Sequence, residues 1–216
     1  MRNRLSGLYL VVDPNLPEES LLQKIEGGLK GGVDILQLWN PWQDRNKALK
    51  LGRKILKVSR RYRAPLIVDD DLQLATELGA DGLHLEKYVL SPVDVRKALG
   101  PSAIVGYTCG KDLETAVRAD KEGGDYISFC AIFPSPSVQE CEIVPLEKVK
   151  AAKARISIPV FASGGITEKN AHLVLEAGAD GIAVISAIFK AADSEQAARK
   201  LKSIILHSRK AALVAA

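Results

Sequence analysis

Gly31-Gly32-Val33-Asp34, Gly79-Ala80-Asp81-Gly82, Gly123-Gly124-Asp125-Tyr126 and Gly178-Ala179-Asp180-Gly181 are four versions of one short phrase. In each, a glycine stands where a helix can end in a left-handed cap before the chain turns into a strand. Working outward, β-rich runs fall at 8–12, 34–39, 66–69, 82–85, 104–108, 126–130, 160–163 and 181–185, with turn residues between them. The segments 21–29, 48–61, 72–78, 92–99, 113–121, 146–154, 168–177 and 195–209 read as helices. Their apolar residues recur at helical spacing, as in Leu49 with Leu56 and in Leu51, Ile55 and Val58. Strand and helix alternating eight times in 216 residues predict an α/β protein, a single (β/α)8 TIM barrel over residues 1–216. A doubly wound open sheet is the alternative.

Composition narrows the function. With 47% hydrophobic and 26% charged residues the chain is neither disordered nor fibrous. Thirty Lys+Arg against 26 Asp+Glu leave a net charge of only +4. The basic residues are scattered over helix faces (Lys47, Lys50, Arg53, Lys54, Lys57), with no basic stripe interleaved with aromatics, so no nucleic-acid partner is expected. No apolar run approaches the roughly 20 residues of a membrane span, and no signal-peptide pattern opens the chain. Three cysteines do not form a disulfide framework. A cytoplasmic protein without membrane attachment is the expectation.

In a barrel of this kind the site lies at the C-terminal ends of the strands. After the seventh strand comes Ser163-Gly164-Gly165-Ile166-Thr167, and the eighth ends Val184-Ile185-Ser186-Ala187-Ile188. Glycines let backbone approach a ligand closely, and free N–H groups in these two loops can surround a phosphate. Two tight turns without a ligand would look the same. Loop six reads Phe133-Pro134-Ser135-Pro136-Ser137; its prolines stiffen the loop, and Ser135 and Ser137 can donate to a second anionic group. The third strand ends in Asp69-Asp70-Asp71, and Glu86-Lys87 follows the fourth. Carboxylates placed so can hold Mg²⁺, although Asp71 is equally explained as a helix cap.

These strand ends resemble the thiamine phosphate synthase family and its sister, the thiazole tautomerases. The likeness runs from Leu8 to about Leu201. It is carried by Leu8-Tyr9-Leu10-Val11-Val12-Asp13, Gln37-Leu38, Pro65-Leu66-Ile67-Val68, Gly79-Ala80-Asp81-Gly82-Leu83-His84-Leu85, the Pro-Ser-Pro-Ser loop, Gly164-Gly165-Ile166-Thr167 and Gly178 to Ile188. The resemblance implies transfer of a pyrimidine methylene from its diphosphate to the nitrogen of a thiazole phosphate, in thiamine biosynthesis. It places the thiazole phosphate at Gly164, Gly165, Ile185 and Ser186, the pyrimidine-side glutamine at Gln37, and Thr108 where the family has serine. It also implies a homodimer.

Departures from the pattern fall on the diphosphate side. The family's arginine and lysine after the second strand are Trp39 and Pro41 here, and its lysine after loop six is Val138. Its Asn-Asp pair is Asp69-Asp70, which keeps Asp70 as a magnesium ligand, but the second metal-binding aspartate falls on Val89. Magnesium is therefore a doubtful cofactor, and the usual synthase reaction is expected to be impaired. Lys87 and Lys111 can restore part of the missing charge. The tautomerase histidine is replaced by Ala131, which leaves the catalytic group unassigned.

The remaining chemistry-bearing residues stay open. His84 shares the parity of inward-facing residues but sits between leucines, and reads as structural; His172 and His207 fall on helices. Cys109, Cys130 and Cys141 can all approach the mouth, as acid/base groups, zinc ligands or plain small hydrophobes. Trp39 faces the mouth with Gln37 by strand alternation and can stack on a heterocycle, while lid packing or a subunit interface explains Trp39 and the nearby Trp42 equally well. Three functions remain: a synthase-like transferase or tautomerase-like isomerase on a phosphorylated thiazole; a non-catalytic phosphate-ligand sensor or regulator; and a barrel recruited to another phosphorylated small molecule, with Asp69, Asp70 and Glu86 as its acid/base or metal groups.

Overall fold

The computed structural model describes residues 5–14, 17–39, 44–110, 113–135 and 142–215, with side chains through residue 210. Strands β1 (Gly7–Val12), β2 (Ile35–Leu38), β3 (Leu66–Asp69), β4 (Gly82–Leu85), β5 (Ile104–Cys109), β6 (Tyr126–Phe129), β7 (Val160–Ser163) and β8 (Gly181–Val184) are parallel and close into a barrel in chain order. Helices α1 (Glu18–Lys30), α2 (Arg45–Tyr62), α3 (Leu72–Leu78), α4 (Pro92–Leu99), α5 (Glu114–Lys121), α6 (Leu146–Lys153) and α7 (Ala171–Glu176) connect them. After β8 come a one-turn helix α8 (Ser186–Phe189) and the long α9 (Ser194–Ala215). The expected barrel is the fold, and the open sheet is not.

Differences from expectation are local. Trp39, Cys130 and Ile185 lie one residue past their strands, and β5 runs on to Cys109. Helix α8 was hidden in a mostly apolar stretch, Gly181 to Phe189, where one helical turn leaves no periodic signal. The start of α2 follows from Asp44, whose side chain accepts from Asn46 N–H and Lys47 N–H. Its buried face includes Leu51, Ile55, Leu56 and Val58, with Leu49 only partly covered. Helix α4 begins in a reciprocal Ser91–Asp94 capping box with Pro92 at its first position.

The repeated turn does more than end helices. A positive-φ glycine closes each one (Gly32, Gly79, Gly123, Gly178), but the aspartate sets the barrel. Asp34, Asp81, Asp125 and Asp180 each donate a backbone N–H to the carbonyl of one residue, respectively Leu8, Leu66, Val105 and Val160. Each then accepts that same residue's N–H on its carboxylate, at 2.7–2.8 Å. The clamped residue lies at or next to the start of the preceding odd-numbered strand. Lys202, Arg96 and Lys153 pair with Asp34, Asp125 and Asp180.

All four clamped residues pack outward against the helices. Strand alternation then turns their successors inward. Inside, Tyr9, Ile35, Ile67, Tyr126, Phe161 and Ala183 form a separate apolar cluster, with Tyr9, Tyr126 and Phe161 meeting edge to face at 5.4–5.9 Å between ring centroids. Glycines make the room. A Cβ on Gly106 would stand 2.0 Å from the Tyr126 ring, and one on Gly181 would stand 2.4 Å from that of Phe161.

The clamp can be tested at Asp125, whose side chain and that of Arg96 are 11% and 17% exposed. Asp125→Ala strands the Val105 N–H and leaves the Arg96 guanidinium without its carboxylate, held only by the Ala103 and Gly123 carbonyls, and is expected to cost about 2–4 kcal/mol. Urea denaturation reads this directly; a loss below about 0.5 kcal/mol, the range of ordinary surface changes, would show that the clamp is incidental.

Candidate active site

The inward positions after the apolar floor form the walls of a cavity of about 200 Å³ at the C-terminal end of the barrel. Of the residues expected at a site, Gln37, Trp39, Thr108, Ser135, Gly164, Gly165, Ile185 and Ser186 all line it. Ser137 lies outside the described residues, as do Pro41, Trp42, Lys111, Val138 and Cys141. Tyr9, Val11, Ser128 and Ser163 also line the cavity and were missed. Strand parity would have found them: each is inward at the same offset as an expected neighbour.

One side of the cavity is backbone. Gly164 and Gly165 take φ of 88° and 65°, and a Cβ on either would come within 2.6 Å of Ala131 or Phe133 backbone. The loop after β7 is therefore pressed on the loop after β6, through Ile132 N–H to Ser163 O at 2.9 Å and Phe133 N–H to Gly164 O at 3.0 Å. Asn170 fixes the turn: its Nδ2 donates to Gly165 O at 3.0 Å and its Oδ1 accepts from Thr167 N–H at 2.7 Å. Ile185 and Ser186, at the first turn of α8, complete this wall. A loop pair with a short extra helix is where this fold takes phosphate.

The other side is polar side chains. Gln37 Nε2 donates to Asp69 Oδ1 at 2.8 Å. Burial, then the nearby Glu86 and Asp70 carboxylates, push the Asp69 carboxyl up to about 8, against the Gln37 hydrogen bond. Asp69 is thus protonated at neutral pH, with the donor and acceptor of an amide, so the negative charge it adds to the sequence is not expressed in the cavity. Burial holds His84 down to about 4. Its ring, expected to be structural, is both core and cavity wall: Nδ1 lies 2.9 Å from Tyr126 Oη and Nε2 lies 2.8 Å from Thr108 Oγ1.

Comparison with known proteins identifies this barrel. The family model described as thiamine monophosphate synthase matches residues 8–188. The chain belongs to the thiamine monophosphate synthase family. It is 37% identical over 199 residues to a thiamine-phosphate synthase of Nitrosococcus oceani, covering 92% of both chains. It is 39% identical to the thiamine-phosphate synthase of Methylococcus capsulatus, over 94% of this chain and 91% of that one. Among solved structures, thiamine phosphate pyrophosphorylase from Pyrococcus furiosus superposes with a TM-score of 0.81 at 32% identity, covering 94% of this chain and 96% of that chain.

Against the family pattern the diphosphate side stays altered. Among its described residues the cavity wall carries no lysine or arginine. The residues present do not fit the two-aspartate magnesium pattern that the family resemblance implies. Asp70 is outside the cavity wall with φ 49°, and its Oδ1 accepts Glu86 N–H at 3.0 Å. Val89 is 68% exposed and has no side-chain oxygen to offer. Among the described residues no three His, Cys, Asp or Glu side chains group around a metal position. Asp71 caps α3, accepting Leu74 N–H at 2.7 Å, as the structural explanation had it.

The other open residues sort by position. Cys130 lines the cavity, whereas Cys109 faces the helices and is 1% exposed, so it does not reach the mouth. His172 and His207 lie on α7 and α9, away from the cavity wall. Ala131, at the tautomerase histidine position, is fully buried with φ 61° and has no proton to transfer.

Asp69 and His84 give the protein a particular pH profile. Asp69 has a folded pKa above its unfolded 3.8, so its contribution falls as pH rises from about 4 to about 8. His84 has a folded pKa below its unfolded 6.5, so its contribution rises as pH rises from about 4 to 6.5. The two offset each other below 6.5, leaving the Asp69 fall exposed from there to about 8. Asp69→Asn keeps the oxygen that Gln37 binds, and is expected to abolish that fall and gain roughly 1–3 kcal/mol at neutral pH. Denaturation midpoints of both proteins across this range measure it, and parallel profiles would contradict the assignment.

Proposed function

We propose that the protein is an enzyme of thiamine biosynthesis that binds a phosphorylated thiazole and condenses it with the pyrimidine diphosphate far more slowly than a cation-equipped synthase. The phosphate lies against Gly164, Gly165, Ile185 and Ser186. The observation that carries this reading is the asymmetry of the cavity: a backbone wall suited to one phosphate faces a wall with no cation among its described residues.

The chemistry explains why that matters. As the thiazole nitrogen forms its bond to the pyrimidine methylene, the carbon–oxygen bond breaks and its electron pair leaves with pyrophosphate. Negative charge accumulates there and needs preorganised donors or cations. Trp39, Thr108, Ser128 and Ser135 can stack on a ring or donate neutral hydrogen bonds, but a neutral donor does less for a developing anion than a cation does. Three absent cations at the low end of about 2 kcal/mol each amount to more than ten-thousandfold in rate.

Tautomerase action is not favoured, because Ala131 supplies no acid or base. The test is thiamine phosphate formation from thiazole phosphate, pyrimidine diphosphate and magnesium, with the Nitrosococcus oceani relative as the reference. The expected wild-type rate is at least a thousandfold lower, and Trp39→Arg, which restores one cation, is expected to raise it about ten- to a hundredfold. A wild-type rate equal to the reference overturns the reading. Thiazole phosphate binding with no product from either form would make the protein a phosphate-ligand binder instead.

A further inference from the structure

The polar chain beneath the cavity has a direction that heavy-atom positions alone do not state. It runs Tyr9 Oη–Tyr126 Oη at 2.9 Å, Tyr126 Oη–His84 Nδ1 at 2.9 Å and His84 Nε2–Thr108 Oγ1 at 2.8 Å. His84 is buried and its two nitrogens face only the Tyr126 and Thr108 hydroxyls, with no carboxylate to hold a charge, so the ring carries one proton; each contact then holds one proton, and the four groups can be ordered in only two ways. In the first, protons run outward: Tyr9 donates to Tyr126, Tyr126 to Nδ1, and Nε2–H to Thr108. In the second every donor is reversed.

The orders differ at their ends. Reversal leaves the Tyr9 O–H to donate elsewhere; Tyr9 borders the floor of the cavity but is 1% exposed, against a partly exposed Thr108, and its hydroxyl has no hydrogen-bond partner besides Tyr126 among the described residues. A buried donor without an acceptor costs about 1–3 kcal/mol. The outward order strands no donor, because the last proton belongs to Thr108, which is only partly buried and lines the cavity.

We propose that His84 is a positioning residue: held as its Nε2–H tautomer by Tyr126, it occupies the acceptor side of Thr108 and turns that hydroxyl into a fixed hydrogen-bond donor aimed at the ligand. The cavity then requires an acceptor atom, a ring nitrogen or a phosphoryl oxygen, opposite Thr108. This rests on the ligand-binding reading above for the identity of the ligand, but not for the tautomer.

Ring-nitrogen NMR of His84 in the ligand-free protein at neutral pH tests the tautomer. The expected spectrum has Nε2 protonated and Nδ1 bare; Nδ1 protonated overturns the proposal. Tyr126→Phe removes the hydroxyl that holds Nδ1, and is expected to give the spectrum of a tautomer mixture in a folded barrel. Calorimetry with thiazole phosphate and with pyrimidine diphosphate tests the donor. Thr108→Ser is expected to bind as wild type and Thr108→Val about tenfold more weakly for the component that meets the hydroxyl. Unchanged binding of both components by Thr108→Val overturns the donor role. If wild type binds neither compound, the functional reading fails while the nitrogen spectrum still decides the tautomer.

Discussion

Four aspartates at the floor of the barrel each hold both the N–H and the C=O of one residue in the preceding odd-numbered strand. A strand slipped by one residue would exchange its inward and outward faces, and this two-point grip prevents that slip at β1, β3, β5 and β7. With Leu8, Leu66, Val105 and Val160 held outward, Tyr9 and Val11, Asp69, Thr108, and Ser163 must face the axis. On the even strands the aspartate itself sets the count. Residues three and five positions later face the cavity: Gln37 and Trp39, His84 and Glu86, Ser128 and Cys130, Ala183 and Ile185.

The same register layers the interior by polarity. Aromatic and β-branched side chains fill the floor, a ring of hydrogen-bonded polar groups lies above it, and the ligand-facing wall follows. Because Asp69 and His84 are almost wholly buried, burial pushes the Asp69 carboxyl up to about 8 and holds His84 down to about 4, so both favour their neutral forms at neutral pH. Among the described residues the cavity wall carries the Glu86 carboxylate but no lysine or arginine. Under the proposed function, affinity there draws on ring stacking and directed hydrogen bonds, which is why the direction of the Thr108 hydroxyl matters.

The family resemblance and the barrel were legible in the sequence for physical reasons. Eight alternations of strand and helix, closed by repeated glycine–aspartate turns, leave little else for 216 residues to form. Backbone-contact residues such as Gly164 and Gly165 were also legible, since glycine marks positive φ and close approach. Tyr9 and Ser128 were not picked out, because an aromatic or a serine in a strand looks the same whether it faces a core or a cavity. Cys109 and Cys130 were equally ambiguous, and only the faces of β5 and β6 separated them. Helix α8 was too short to show a period.

The sequence by itself determined which residues can meet at the barrel mouth, because a two-residue repeat and strands laid down in chain order dictate parity and neighbourhood. It also showed that tryptophan, proline and valine stand at positions 39, 41 and 138, where the resemblance leads one to expect cations. Only the tertiary structure decided the charge and hydrogen-bond polarity of what remains. Protonation depends on how much water surrounds a carboxyl and which charges lie nearby, and neither is a property of chain order. Asp69 is therefore an acid in composition and an amide-like neutral group in place, and His84 is a core residue whose two nitrogens connect the buried Tyr126 to Thr108 on the cavity wall.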